Sequence, residues 1–206
     1  MQMKIGVFGG AFNPPHKMHK QIAIDLLNKK YLDKIIYVPV ADNYNKPNIL
    51  KGTDRLNMLK LMFLNTDLQD DILKNIGISS FEVDGSLYTI NTLNYFKNYY
   101  PDDDIFFICG TDNLNSFRSW NSYEEILNKY KLMVISRENY SFDRIIKQFG
   151  DLSKNIVLAP IKSDIVSSTL IRNEIIKNGY TEELNKYLDI EVINYLKKID
   201  VEKYWK

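Results

Sequence analysis

Short apolar runs alternate along this chain with stretches in which apolar residues recur at helical spacing. The first run, carrying Ile5, Val7 and Phe8, is β-branched in bias and unbroken by polar residues, which predicts a strand buried on both faces. It stops at Gly9-Gly10, and Asn13-Pro14-Pro15 forbids its continuation. Helical spacing then begins, with Met18, Ile22, Ala23, Leu26 and Leu27 on one side of a helix over 17–29. Residues 34–39 predict a second strand, completing a βαβ unit. A polar stretch punctuated by Pro47 and Gly52 reads as a long loop over 41–53. After it, Leu56, Leu59, Leu61, Met62 and Phe63 form an apolar helix face, with Asp54 as the predicted cap.

Residues 76–83 predict a third strand, followed by a turn at 85–89 and a helix through 98. The run IFFICG at 105–110 is continuously apolar, so it is expected at the centre of the sheet. Beyond it the pattern gives a helix around 122–130, a strand at 132–136, a short helix near 142–149 and a strand at 156–159. Ser167-Ser168-Thr169 opens a helix that ends at Gly179, and two further helices fall around 181–187 and 190–198. Strands alternating with helices define an α/β fold, here a single-domain, doubly wound and mostly parallel sheet with a helical C-terminal segment. Ligands of such sheets bind beyond the carboxyl ends of the strands, where strand order reverses. The chemistry is therefore expected in the loops after strands one, two and four.

Charge narrows the partners. Lys plus Arg number 27 against 26 Asp plus Glu, a net charge of +1 over 206 residues, without the basic excess of a general nucleic-acid or membrane-surface binder. No apolar stretch reaches the roughly 18 residues of a membrane span, and the first apolar run ends at Asn13-Pro14-Pro15 without a cleavage-like site. A single cysteine excludes an internal disulfide and fits a reducing, cytoplasmic location. Cys109 lies inside the IFFIC run and reads as a packed strand residue. Only five arginines, at 55, 118, 137, 144 and 172, offer forked phosphate contacts. The sequence leaves a homo-oligomer open.

The candidate chemistry concentrates between Gly9 and His19. His16 and His19 are the only histidines and sit three apart in the first helical turn, on one face, directed back at the glycine loop. A helix N-terminus offers unpaired N–H groups and a partial positive charge to a phosphate. The glycines form no dinucleotide fingerprint and no Walker lysine follows them. A zinc site built on the two imidazoles would need a third ligand, which only carboxylates or Cys109 could supply. Gly110, Asp112 and Trp120 follow the fourth strand. There the glycine permits close approach, the carboxylate can accept from a ribose or an adenine amine, and the indole can stack on a ring; a helix cap and a core-edge indole are the alternative readings. Ser167, Ser168, Thr169 and Arg172 read as a second anion site at a helix N-terminus.

The segment GGAFNPPHKMH resembles the G-x-F-(D/N)-P-x-H-x-G-H signature of the HIGH-type nucleotidyltransferases. Met18 stands where that pattern has glycine, which leaves two consequences open, a side chain crowding the triphosphate or a changed opening of the helix. Val166 to Arg172 is similar to the same family's second signature, (I/V)-S-S-T-x-I-R, and differs from the R-T-x-G-I-S-T-T segment of relatives that use CTP. Leu87-Tyr88-Thr89 with Asn91, Thr92 and Leu93 resembles the S-Y-T-x-(D/N)-T-L segment of nicotinate mononucleotide adenylyltransferases, with Leu87 in place of serine.

The resemblance implies transfer of AMP from ATP to a pyridine mononucleotide, with Mg²⁺ on the triphosphate and no metal ligand from protein side chains. It implies His16, His19 and Arg172 as catalytic residues. It places ATP against Gly9, Gly10, Ala11, Phe12, His16, His19, Gly110, Asp112, Ser167, Ser168, Thr169 and Arg172. It assigns the pyridine nucleotide to Lys46, Arg55, Tyr88, Thr89 and Trp120. Another small phosphate acceptor, such as nicotinamide mononucleotide or phosphopantetheine, remains an alternative, as does a catalytically weak nucleotide-binding sensor.

Overall fold

A computed structural model describes residues 2–43, 48–64, 66, 68–137, 140–162 and 166–205. In chain order the elements are β1 (Lys4–Gly10), α1 (Lys17–Asn28), β2 (Lys34–Pro39), α2 (Gly52–Met62), α3 (Asp70–Leu73), β3 (Ile76–Ile78), α4 (Thr89–Tyr99) and β4 (Asp104–Gly110). Then come α5 (Thr111–Ser116), α6 (Tyr123–Lys129), β5 (Lys131–Ser136), α7 (Phe142–Ile146), β6 (Ile156–Lys162), α8 (Ser168–Asn178), α9 (Ile190–Lys198) and α10 (Glu202–Trp205). The strands form one sheet in the order β3-β2-β1-β4-β5-β6, and all five pairings are parallel. Strand order reverses between β1 and β4, so the carboxyl ends of these two central strands open the crevice where a ligand is expected.

Alternation along the strands builds two cores from apolar runs. Ile5, Val7, Ile36, Val38, Ile105, Phe107 and Cys109 face the layer containing α4 and α6. Phe8, Ile35, Tyr37, Phe106 and Ile108 face α1, α2 and the C-terminal helices. Apolar burial on both faces is why these strands read as unbroken hydrophobic stretches, each fully buried side chain contributing about 1.5–3 kcal/mol.

Several boundaries differ from the sequence pattern for local reasons. The third strand stops at Ile78 rather than residue 83, because side chain and backbone in the next segment bond to each other. Ser79 Oγ accepts from the Phe81 N–H at 3.2 Å, Ser80 Oγ donates to Asp84 at 2.6 Å, and the Gly85 N–H reaches Glu82 O at 3.0 Å. The helix expected to 149 tightens to 3₁₀ geometry after Ile146 and kinks at Gly150, φ 51°. The segment expected as a helix at 181–187 is a 3₁₀ turn over Glu182–Lys186. Asp54 is not the cap of α2, which begins at Gly52; its carboxylate instead accepts from the Tyr195 hydroxyl at 2.8 Å. The buried face of α2 is Arg55, Met58, Leu59 and Met62, with Leu56, Leu61 and Phe63 only partly covered.

Candidate active site

The crevice between β1 and β4 contains two cavities that share Gly9, Gly10, Ala11 and Asn113. The larger, about 460 Å³, is lined by all the residues that the resemblance assigns to ATP, together with Asn13, Ile49, Asn113 and Arg137. The smaller, about 260 Å³, contains Tyr88, Thr89 and Trp120 with Leu87, Glu82, Val40 and Phe107.

The loop after β1 is held by its own side chains. Phe12 lies at φ 48°, a left-handed conformation uncommon for a non-glycine residue. Its ring is locked edge-on against Phe8, His19 and Tyr37 at centroid distances of 5.7, 5.0 and 5.6 Å, packing that holds the backbone there. At the end of β4, a Cβ on Gly110 would collide with the Asp112 carboxylate and the Arg137 guanidinium, so glycine permits these two to meet beside the strand. Asp112 Oδ1 stands 3.4 Å from Arg137 Nε. Cys109 is buried beneath them, its thiol pushed up to about 12 by burial and by the Asp112 charge, which fits packing and not nucleophilic chemistry.

His16 and His19 stack face to face, ring centroids 3.7 Å apart. His19 Nδ1 accepts the backbone N–H of His16 at 3.1 Å, so a neutral His19 carries its proton on Nε2. Burial holds His16 down to about 3, with the Arg137 charge adding to it. Burial also holds His19 well below 6.5, followed by His16 and Arg137. Both rings are therefore neutral N–H donors at pH 7 rather than cations. Because the folded values lie below the unfolded one, the unfolded chain binds more protons as pH falls from 6.5 towards 3, and stability drops over that window. His16→Asn removes one of these groups. The wild type should lose more Tm between pH 7.5 and 5 than this variant in a thermal scan, and equal losses would contradict the assignment.

The second signature braces the loop from the far end of the chain. Ser168 Oγ donates to Pro14 O at 2.8 Å, and Arg172 donates to Asn13 O at 2.9 Å and to Thr169 Oγ1 at 3.1 Å. These use two of the five N–H donors of the guanidinium. Ser167 caps α8 by accepting the Leu170 N–H at 3.2 Å, so in this arrangement its hydroxyl works locally.

Two expectations change, and a third falls outside the described residues. Arg55 lines neither cavity. It is fully buried, and its guanidinium donates to Leu50 O, Ala11 O, Val40 O and Asp42 Oδ1, consuming the fork that a phosphate would need. Met18 also lines neither cavity; it packs against the core on the α1 side and does not crowd the phosphate loop. Lys46 lies outside the described residues. The sequence reading named Arg137 only among the five arginines able to fork a phosphate and gave it no place in the site, although the strand-end rule applied to β5 points at it. It also read Asn13 only as a strand breaker. The Asn13 side chain accepts the Leu50 N–H at 3.1 Å and donates to Asn48 O at 2.8 Å, tying the loop after β2 to the phosphate loop.

A phosphate loop that supplies its own imidazole donors, set at the switch point of a parallel sheet, belongs to the Rossmann-like nucleotidyltransferases. The cytidylyltransferase-like family model matches residues 7–174. A probable nicotinate-nucleotide adenylyltransferase of Clostridium tetani is 34% identical over 203 residues, covering 95% of this chain and 96% of its own. Another, from Fusobacterium nucleatum, is 34% identical over 177 residues, covering 84% and 88%. A solved Plasmodium falciparum nicotinic acid mononucleotide adenylyltransferase complexed with NaAD shares the fold at TM-score 0.83 and 20% identity, over 98% of each chain. The chain belongs to the cytidylyltransferase-like family and, within it, groups with the nicotinate-nucleotide adenylyltransferases.

Proposed function

We propose that the protein transfers AMP from ATP to nicotinate mononucleotide, forming deamido-NAD and pyrophosphate in NAD biosynthesis. The observation that carries this reading is the junction of the two cavities at Gly9–Ala11 and Asn113. ATP fills the larger cavity and the pyridine nucleotide the smaller, so the acceptor phosphate meets the α-phosphorus at the glycine loop. An acceptor phosphate oxygen bonds to that phosphorus as the bond to the pyrophosphate oxygen breaks.

No side-chain base is needed, since a phosphate monoester has a second pKa of about 6 and is already a nucleophile near pH 7. Catalysis is then alignment and charge stabilisation. His19 Nε2–H and His16 donate to phosphate oxygens, while Arg172 and Arg137 offset the charge passing to pyrophosphate. Among the described residues no three His, Cys, Asp or Glu side chains converge as a metal cage. Mg²⁺ bound with the triphosphate would neutralise charge on the leaving group. No described helix is long and apolar enough to cross a membrane; a reducing, cytoplasmic compartment is the proposed working location, with a single cysteine in the chain.

The test is pyrophosphate release with ATP and Mg²⁺, comparing nicotinate mononucleotide, nicotinamide mononucleotide and phosphopantetheine. Release with the nicotinate nucleotide supports the reading. Release with phosphopantetheine alone, or ATP binding without release, overturns it. Trp120 is half-buried, set against Phe117 and Phe107 at 4.9 and 5.7 Å, and lines the acceptor cavity. In the same assay Trp120→Ala should raise the KM for the acceptor about tenfold and leave that for ATP nearly unchanged, since ring stacking is worth about 1–1.5 kcal/mol. A change confined to ATP would mean the two cavities are assigned the wrong way round.

A further inference from the structure

The smaller cavity contains a buried acid that adenylyl transfer does not use. Glu82 is 7% exposed and lies in the turn between β3 and α4. Its carboxyl accepts the hydroxyl proton of Thr92, itself fully buried in the first turns of α4, at 2.6 Å. The residue lines the cavity beside Leu87, Tyr88 and Thr89, the helix start that the resemblance assigns to the pyridine nucleotide.

The charges around it leave the proton on Glu82 poorly fixed. From α2, Arg55 is the nearest cation, but its guanidinium is committed to three carbonyls and to Asp42. Asp42, in the loop after β2, is spent on Arg55 and on the Gly52 N–H. In its own turn, Asp84 accepts from Ser80. Tyr88 is the only other titratable side chain among the described residues lining the cavity; β1, β4 and α5 contribute Gly9, Gly10, Phe107 and Asn113 to it. Burial pushes Glu82 up to about 7, although the Thr92 hydrogen bond and the Arg55 charge pull it down. A buried carboxylate facing a ligand carboxylate is repulsive unless one of the two is protonated; a protonated acid there is a donor to it, whereas an ionised one suits an amide N–H.

We infer that Glu82 reads the substituent on the acceptor ring, donating from its neutral carboxyl to a carboxylate and accepting, when ionised, from a carboxamide. This rests on the pyridine-nucleotide reading of the smaller cavity. The proton comes from solvent as the acidic acceptor binds, and no covalent bond changes at Glu82. Preference between the two acceptors is thereby tied to pH.

The ratio of kcat/KM for nicotinate over nicotinamide mononucleotide, measured from pH 6 to 8, isolates this effect because both acceptors carry the same phosphate. In the wild type the ratio should fall at least about tenfold across that range. Glu82→Gln keeps the shape, the Thr92 bond and a donor, so it should hold the ratio flat and retain the nicotinate preference at pH 8. A purely structural role would lower both acceptors together at every pH. Independently of any variant, calorimetry in buffers of different ionisation heat should show proton uptake at pH 7.5 when nicotinate mononucleotide binds, and not with the nicotinamide form. A pH-independent wild-type ratio, or equal uptake for both ligands, overturns the inference while leaving nicotinate adenylylation standing. Turnover of neither acceptor removes the reading beneath it and the inference with it.

Discussion

Replacing His19 by alanine should lower turnover by about two orders of magnitude or more while the protein stays folded. Its Nδ1 is occupied by the His16 N–H, so the ring presents Nε2–H in a fixed direction. Stacking on His16 and edge contacts with Phe8 and Phe12 hold the plane. Such a donor needs no reorganisation when charge develops on the phosphate oxygens, and a preorganised donor of this kind is worth about 2.7–4 kcal/mol in the transition state. The loss should fall on kcat, with the KM for ATP changing little, because with ATP in the larger cavity as proposed most of the lining that would touch it lies away from His19. Steady-state pyrophosphate release read beside a circular-dichroism melt checks this. A folded variant with undiminished kcat would remove His19 from the mechanism.

The second large effect is on stability. Arg55→Met keeps most of the buried stem and deletes the guanidinium, which donates to Leu50 O at 2.8 Å, Ala11 O at 3.1 Å, Val40 O at 2.7 Å and Asp42 Oδ1 at 2.8 Å. Three backbone carbonyls, one in the loop after β1 and two in the loop after β2, then lose a partner, and each one left buried and unsatisfied costs about 1–3 kcal/mol. The Asp42 carboxylate is half exposed and recovers water, so the carbonyls dominate. A loss of about 3–5 kcal/mol is expected, a large share of the 5–15 kcal/mol typical of a domain. Equilibrium urea unfolding measures it directly. Arg55→Lys should rescue only part, since one ammonium cannot span four acceptors. A loss below about 1 kcal/mol would mean that water replaces the guanidinium.

The contrast between Arg55 and Trp120 shows what the sequence could convey. Trp120, the glycine loop, the histidine pair and Ser167–Arg172 could be proposed from the sequence because each lies in the segment following a strand, where strand–helix alternation leads a ligand to be expected, and each contributes to the lining of the two cavities. Arg55 carried the right charge in a plausible place. Its burial, however, depends on three carbonyls that come together only when the loops after β1 and β2 close over α2. The Met18 position likewise could not be judged until the register of α1 on the core was known. The end of β3 was hidden because Ser79, Ser80 and Asp84 form local bonds that period-two alternation does not reveal. Glu82 looked like an ordinary acid in a strand pattern; only the short β3 turns it into the cavity wall.

The bracing of Asn13 and Pro14 by Ser168 and Arg172 spans 154 and 159 residues of sequence. Lys17 and Lys20 reach Asn185 and Asp189 across 168 and 169. The phosphate loop and the start of α1 are therefore completed only by partners that lie far later in the chain. A nascent chain that has released β1 to β6 can pair its sheet, but its phosphate loop lacks the Ser168 and Arg172 bonds until α8 emerges and docks. Contacts of such long range slow folding. A nucleotide that binds only the completed loop would pull this late docking step forward by mass action, making the substrate a contributor to the enzyme's own maturation.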